Sequence, residues 1–152
     1  MKRSQLRAKV VAARIHWVNQ MLSALRLLPL QSYEVFRSDP RNIAAAESYL
    51  RRSLEALFDL ARHLLSRGFT QAVAEFEEVA SHMLRMGVLN PQEGNFLRDM
   101  AGYRNRLVLF YREISDQDLY EICTRRLTDI ELLLNSLLDW IKAHPEKIDK
   151  AM

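Results

Sequence analysis

The chain has 152 residues, of which 49% are hydrophobic and 27% charged, and its formal net charge at neutral pH is +3. A chain of this length and composition can bury a core of its own, which excludes an intrinsically disordered protein and favours a single globular domain. The sequence contains no run of about 18 apolar residues that could span a membrane, and no signal peptide precedes the first amphipathic stretch. We therefore expect a cytoplasmic protein with no membrane segment.

Arginine dominates the basic residues and accounts for 17 of the 22. Its guanidinium group makes bidentate contacts to phosphate and carboxylate, which suits RNA or nucleotide partners. Codon usage and thermally robust surfaces also enrich arginine, so composition alone does not identify the partner. The single cysteine, Cys123, cannot form an internal disulfide, and it follows Ile122 in a helical apolar pattern. We predict that it is a core residue and not a nucleophile.

Periodic apolar residues predict five helices along almost the whole chain. A first helix starts at Leu6, and a short turn, helical or irregular, occupies residues 33–36. The remaining boundaries are indicated by prolines, glycines and capping side chains, in chain order Pro29, Asp39 with Pro40, Gly68, Thr70 or Gln71, Gly87, Asn90 with Pro91 and Glu93, Ser115, and His144 with Pro145. The sequence shows no alternating pattern typical of strands and no internal repeat. The predicted fold is an all-α, single-domain antiparallel bundle of about five helices over residues 1–144, followed by a solvated C-terminal tail, 145–152.

The fourth predicted helix carries two side chains on unexpected faces. At about 100° per residue, Arg104 falls in the middle of an apolar arc. An arginine there must be paired or must face a ligand, because an unpaired buried charge costs several kcal/mol. Leu109 is the only large apolar residue on the opposite, polar arc. The members of the apolar arc are Leu97, Met100, Leu107, Val108 and Tyr111, and those of the polar arc are Arg98, Asp99, Gly102, Asn105, Arg106, Arg112 and Glu113.

Other candidate residues carry weaker signals. His63 and His82 occur on different helices without a spaced partner, so satisfied or exposed histidines are favoured over metal ligands. The acidic cluster of the third helix, Glu75, Glu77 and Glu78, is predicted to be a solvated face. Arg125 and Arg126 suit a surface pair better than a phosphate site. The sequence contains no Gly-rich phosphate loop, no Ser-His-Asp set and no paired cysteines.

Residues 104–111 read Arg-Asn-Arg-Leu-Val-Leu-Phe-Tyr, and this string resembles the motif of HEPN-domain toxins of HEPN and minimal nucleotidyltransferase (MNT) toxin-antitoxin pairs. The family motif is arginine, a polar residue, three more positions, histidine, any residue and tyrosine. The resemblance covers nearly the whole chain, including Phe36 and Asp39 before the second helix and Leu119-Tyr120 in the fifth. The matching positions are Arg104 for the arginine, Asn105 for the polar residue, Leu109 where histidine belongs, and Tyr111 for the tyrosine.

The resemblance implies a metal-independent endoribonuclease that needs no cofactor and acts as a homodimer, with the motifs of two subunits lining one RNA-binding cleft. Arg104 would hold the phosphate, position 109 would supply the general acid or base, and Asn105 would orient groups around it. The ribose 2′-hydroxyl would be the nucleophile. On an ideal helix positions 104 and 109 point about 140° apart, so joint action requires a distorted helix or residues from both subunits. Further RNA contacts would come from Arg98, Arg106 and Arg112.

Leu109 is the serious departure from the motif. Leucine neither accepts nor donates a proton, so we expect this chain to lack acid-base help worth about 10²- to 10⁴-fold. Two explanations stay open: an inactivated form of a toxin that otherwise carries histidine at this position, or a natural degenerate member that keeps its fold and its partner.

Tyr111 is implied to be a modification site. In related pairs the nucleotidyltransferase antitoxin adds AMP to the motif tyrosine, which would block the RNA cleft with bulk and negative charge. Apart from the resemblance, Tyr111 fits an ordinary core aromatic. Two other functions also remain open: a non-catalytic helical binding subunit of a nucleotidyltransferase, and a structural bundle with no role on nucleic acid.

Overall fold

The computed structural model describes residues 5–73, 75–108 and 114–150. Helices dominate these residues, which confirms the predicted all-α class. In the described residues there are seven α-helices: α1 Ala8–Arg26, α2 Tyr33–Arg37, α3 Pro40–Phe69, α4 Phe76–Arg85, α5 Pro91–Val108, α6 Asp116–Arg125 and α7 Leu127–Ala143. A 3-10 turn, Pro145–Lys147, follows α7, and two short strands are β1, Leu6–Arg7, and β2, Ile148–Asp149. No helix that could span a membrane occurs in the described part of the chain.

The described residues form seven helices where about five were predicted, for two reasons. The turn at residues 33–36 is a helix, α2, whose first turn is capped by the Ser32 hydroxyl accepting from the Val35 N–H at 3.2 Å. The fifth predicted helix is divided at Arg126 into α6 and α7. The apolar stripe continues across this break, with Ile122, Leu127 and Ile130 all buried, so helical periodicity could not locate it.

The two ends of the described chain are joined by strands that were not predicted. The strands β1 and β2 pair in parallel, with Leu6 opposite Ile148. Leu6 is fully buried, and Gln5 Nε2 donates to the Glu146 carbonyl oxygen at 2.9 Å. Residues 145–150, expected to belong to a solvated tail, therefore fold back against β1. Strands of two residues are too short to produce a recognisable alternation.

The central element of the fold is α3, which contacts each of the other six helices of the described chain. Asp39 caps it by accepting from the Arg41 N–H at 2.9 Å, as predicted. Gly68 was expected to stop this helix but lies inside it, because its missing side chain leaves room for Leu6 and Trp140. The helix ends at Thr70, which adopts a left-handed conformation. The buried stripe of α3 includes Leu50, Leu54, Leu57, Leu60, Ala61, Leu64 and Leu65.

The predicted capping box of α5 is present. The Glu93 N–H donates to Asn90 Oδ1 at 2.8 Å, and the Asn90 N–H donates to Glu93 Oε1 at 2.9 Å. One turn further, α5 approaches α4 so closely that a β-carbon on Gly94 would lie 2.7 Å from Leu84 Cγ. The start of α5 is therefore set both by its cap and by contact with α4.

This close approach yields a prediction for two glycines of the same helix. We expect Gly94→Ala to lower the free energy of unfolding by about 1–3 kcal/mol, because the added methyl group collides with Leu84. Gly102→Ala is the matched control, since no atom of the described residues lies within 4 Å of the point that its new β-carbon would occupy, and it should raise stability by about 0.5–1 kcal/mol. Urea denaturation measures both changes. Equal effects of the two substitutions would contradict this packing of α5 on α4.

Candidate functional site

The first part of the motif identified in the sequence, residues 104–108, lies at the end of α5. The structure describes Arg104, Asn105 and Arg106, whereas Leu109, Tyr111 and Arg112 lie outside the described residues. The described part of the site is therefore the arginine half of the motif and the elements that surround it.

Arg104 is half-buried and lies against the ring of Phe76, the first residue of α4. Its Cζ atom is 4.2 Å from the ring centroid, a distance at which a guanidinium cation is attracted by the π-face. Its Nη1 atom makes a long hydrogen bond of 3.4 Å to Asn105 Oδ1. The Nε atom is buried and has no hydrogen-bond partner among the described residues. Within those residues no carboxylate pairs with Arg104, so its charge is compensated by an aromatic ring and by partial exposure.

Asn105 connects the motif to the acidic start of α4. Its Nδ2 atom donates to Glu77 Oε1, while its Oδ1 atom faces the Arg104 guanidinium. These two bonds fix which way the amide points. Glu77 is exposed, as predicted for the acidic cluster, yet it also orients the polar motif residue. Nothing in the sequence spacing of positions 77 and 105 indicated this contact.

Phe76 is the residue of this site that the sequence did not reveal. Its ring packs edge-on against the fully buried Phe58, with 5.0 Å between ring centroids. Besides Arg104, the same ring is approached by Arg62 of α3, whose Cζ atom is 5.4 Å from the centroid. Phe76 therefore holds two guanidinium groups against the edge of the core. The signal was a single aromatic in an amphipathic helix, which periodicity assigns to the core.

Arg98 and Arg106 lie on the outer surface of α5. The exposed Arg98 makes long hydrogen bonds to Asn95 and Ser81. Arg106 forms an ion pair with Asp118 at 3.3 Å, at the edge of a cavity of about 290 Å³ between α5 and α6. This cavity is lined by Tyr103, Arg106, Asp118, Glu121, Ile122, Arg125 and Arg126.

The neighbouring arginines Arg125 and Arg126 lie in different environments. Arg125 is exposed. Arg126 is bound by Asp129 and by Asp99 at 3.1 Å, and its Nη1 donates to the Tyr103 hydroxyl at 2.8 Å. Arg126 thus joins the α6–α7 break to α5, which is a structural role.

The predicted apolar arc of α5 is buried only in its first part. Leu97 and Met100 are fully buried and Leu107 is half-buried, but Val108 is 38% exposed. The prediction for Val108 is therefore wrong. It is the last residue of α5, and angular position says nothing about whether a neighbouring element reaches that far.

Cys123 is a buried core residue, and His63 and His82 make polar contacts within the protein. Burial raises the pKa of the Cys123 thiol to about 12, which confirms a core residue in place of a nucleophile. His63 accepts the Arg7 N–H on its Nε2 atom at 3.0 Å, and His82 contacts Arg85. In the described part of the chain, no group of three histidine, cysteine or acidic residues is placed to hold a metal ion.

Solved structures with the same arrangement of helices are toxin-antitoxin components and a protein of unknown function. A tri-AMPylated HEPN toxin from Shewanella oneidensis, solved in complex with MNT antitoxin, matches with a TM-score of 0.78 and 16% identity over 86% of this chain and 97% of that chain. A toxin-antitoxin structure with AMP-PNP matches with a TM-score of 0.75 and 16% identity, over 84% and 97%. Cytosolic YutE from Bacillus subtilis matches with a TM-score of 0.75 and 13% identity, over 92% and 94%. At these identities the likeness shows the fold alone, a HEPN-like helical bundle.

The sequence itself identifies the family more closely. The profile of the ribonuclease HepT-like family matches residues 19–137, which is most of the chain. No curated protein matches the chain. The chain belongs to the ribonuclease HepT-like family, in agreement with the resemblance drawn from its motif.

Proposed function

We propose that this protein is the toxin-type subunit of a HEPN/MNT pair and that it binds RNA at a cleft containing Arg104. The observation that carries the proposal is the state of this arginine. It is half-buried, lacks a carboxylate partner among the described residues, and matches the arginine of the motif that the sequence resembles. An arginine held in this way is ready for an external anion, and a phosphodiester is the anion that its planar donor fork fits best.

The surroundings of Arg104 support phosphate binding in a definite orientation. Contact with the Phe76 ring restricts the plane of the guanidinium and leaves its in-plane N–H groups as donors. Asn105, oriented by Glu77, lies beside it. The in-plane N–H donors of Arg104, held at fixed positions, would align a phosphodiester for attack by the neighbouring 2′-hydroxyl. In that step a bond forms between the 2′-oxygen and phosphorus, and the bond to the 5′-oxygen breaks.

Proton transfer is the part of this chemistry that the chain does not supply. The 2′-hydroxyl must lose a proton and the 5′-oxygen must gain one, and the family places a histidine at position 109 for this purpose. Leu109 can do neither. The proposal therefore includes strong RNA binding with slow cleavage.

A second copy of the chain is proposed to complete the cleft. Positions 104 and 109 point about 140° apart on one ideal helix, which favours contributions from two subunits. The exposed Val108 at the end of α5 supports this, because an apolar residue there would be covered by a symmetry-related helix. The proposed antitoxin is a small nucleotidyltransferase that adds AMP to Tyr111. In support, one solved protein of the same fold is a tri-AMPylated HEPN toxin in complex with MNT antitoxin, and another belongs to a toxin-antitoxin structure with AMP-PNP.

Replacing Arg104 tests the RNA site. We expect Arg104→Ala to weaken binding of a short unstructured RNA by about 10- to 100-fold, because charge-assisted hydrogen bonds contribute about 1.5–3 kcal/mol. Arg104→Lys should restore only part of the affinity, since an ammonium lacks the planar fork. Arg51→Ala is the control: Arg51 is a partly exposed arginine of α3 that pairs with Glu55 at 3.3 Å. Fluorescence anisotropy measures all four proteins, and equal affinities for Arg104→Ala and Arg51→Ala would refute the assignment.

A non-catalytic binding subunit of a nucleotidyltransferase is the second candidate. The leucine at position 109 favours it, because a subunit that only binds a partner has no use for a histidine there. If this candidate function is correct, we expect a stable complex with the nucleotidyltransferase and no RNA cleavage after Leu109→His.

A further inference from the structure

A second basic cavity, which we call the α1–α3 cavity, lies between α1, α3 and the segment that connects α3 to α4. Its volume is about 430 Å³, and it opens to solvent. Its lining residues are Val10, Arg14, Asp59, Arg62, His63, Ser66, Ala72 and Val73.

The charge of the α1–α3 cavity is mainly positive. Arg14 and Arg62 line it, and among the described lining residues Asp59 is the one acidic residue. The Arg14 Nε atom is 3.7 Å from Asp59 Oδ2, so the two side chains form an ion pair without a hydrogen bond. That Nε atom is buried and has no hydrogen-bond partner among the described residues. Buried donors without an acceptor indicate a place where an anion would be bound.

His63 adds a neutral donor to this cavity. Its Nε2 atom accepts the Arg7 N–H, so in the neutral ring the proton lies on Nδ1. Burial lowers the pKa of His63, and the positive charges of Arg67, Arg7 and Arg14 lower it further. The ring therefore stays neutral near pH 7. The charged groups around the ring are Arg67, Arg7 and Arg14, together with Arg62 and Asp59. Of these, Arg14, Arg62 and Asp59 line the cavity.

One arginine of the α1–α3 cavity, Arg62, lies against the same aromatic ring as Arg104. Arg62 lines the cavity, its Nε donates to the Val73 carbonyl oxygen at 3.0 Å, and its Cζ atom is 5.4 Å from the Phe76 centroid. Arg104 lies 4.2 Å from the same centroid. The two guanidinium carbons are thus separated by no more than the sum of these distances.

We propose that the α1–α3 cavity binds a second phosphate of the RNA strand whose scissile phosphate lies at Arg104. The inference rests on the proposed function, because it takes Arg104 as the first phosphate site. Arg14 and Arg62 supply charge, and His63 Nδ1 and the Ser66 hydroxyl supply neutral donors. A free nucleotide offers the same phosphate chemistry. The strand is favoured because Arg62 of the cavity lining and Arg104 lie against the same Phe76 ring.

Two substitutions at the cavity test this proposal without changing Arg104. Arg14→Gln removes one cation, and we expect the Kd for a short unstructured RNA to rise about 3- to 10-fold and the slope of log K against log salt to fall by about one. Arg51→Gln is its control and should leave both unchanged. Ala72→Glu places a carboxylate at the exposed rim and should weaken RNA binding as well, whereas Ala72→Gln of the same size should not.

NMR titration of the His63 ring separates an RNA strand from free phosphate compounds. RNA, inorganic phosphate and AMP are added separately to the full-length protein. We expect RNA to raise the pKa of His63 in the unmodified chain and to have a smaller effect in Arg14→Gln. If AMP or phosphate shifts the ring and RNA does not, the cavity is a free-nucleotide site and the strand proposal is wrong.

The anisotropy data also separate failure of this inference from failure of the proposed function. If Arg104→Ala weakens RNA binding while Arg14→Gln and Ala72→Glu match their controls, only the second phosphate site is refuted. If the unmodified chain binds no RNA at low salt, both are refuted.

Discussion

Leu109→His is expected to raise the rate of RNA cleavage by about 10²- to 10⁴-fold, the contribution that a positioned acid or base makes to proton transfer. In the proposed function the other groups are in place, because Arg104 is held on Phe76 and Asn105 is oriented by Glu77. Cleavage should follow a pH profile with an inflection near the ordinary histidine pKa of about 6.5. The assay is the release of labelled RNA fragments under single-turnover conditions, with EDTA present because the proposed chemistry needs no metal.

Two controls connect any gain to the proposed mechanism. Leu109→Gln places a polar side chain that does not titrate at the same position, and it should not restore cleavage. Arg104→Ala in the Leu109→His background should abolish it. If the Leu109→His protein keeps its helical circular dichroism spectrum and thermal transition yet cleaves no RNA, the ribonuclease assignment fails and the binding-subunit candidate is favoured.

AMP addition at Tyr111 is the second large expected effect. Incubation with ATP and the nucleotidyltransferase partner should add the mass of AMP to a peptide containing Tyr111. The modified protein should bind RNA on the order of ten-fold more weakly, because a new phosphate competes for Arg104 and repels the RNA backbone. Mass spectrometry locates the modification, and anisotropy measures the affinity. Added salt should reduce the difference in RNA affinity between the modified and the unmodified protein, since competition for Arg104 and repulsion of the RNA backbone are both electrostatic.

Tyr111→Phe provides the sharp control, because it removes the acceptor hydroxyl and keeps the ring. It should bind RNA normally and should be insensitive to the partner and ATP. Tyr103→Phe is the matched variant on α5, and the hydroxyl it removes is engaged by Arg126. The assignment of Tyr111 is refuted if Tyr103→Phe blocks modification and Tyr111→Phe does not.

The helical nature of the chain and much of its core could be predicted from residue patterns alone. Side chains three and four apart share one face of a helix, so the spacing of apolar residues predicts the buried stripe from Leu50 to Leu65 in α3. Caps are equally local. The N-cap at Asp39 and the capping box of Asn90 with Glu93 involve residues two or three apart, and both are found as predicted. The burial of Cys123 follows from the same periodicity.

Errors occurred where a feature depends on distant parts of the chain. Gly68 is a helix stop by composition, but Leu6 and Trp140 need its space inside α3. The break at Arg126 is stabilised by Asp99 of another helix. The strand pair β1–β2 joins residues more than a hundred positions apart. None of these partners can be found from the residues that flank the feature.

The candidate site combines both kinds of information. Arg104 and Asn105 were identified from the motif string and from an arginine on an apolar arc, which are properties of one helix. Phe76, which holds Arg104, and Glu77, which orients Asn105, come from α4, and the α1–α3 cavity comes from α1 and α3. Helical periodicity records which side of a helix is apolar, but the packing of helices decides which side chains meet. For that reason the candidate residues of the site could be predicted from the sequence, whereas the residues that surround and orient them could be found only in the tertiary structure.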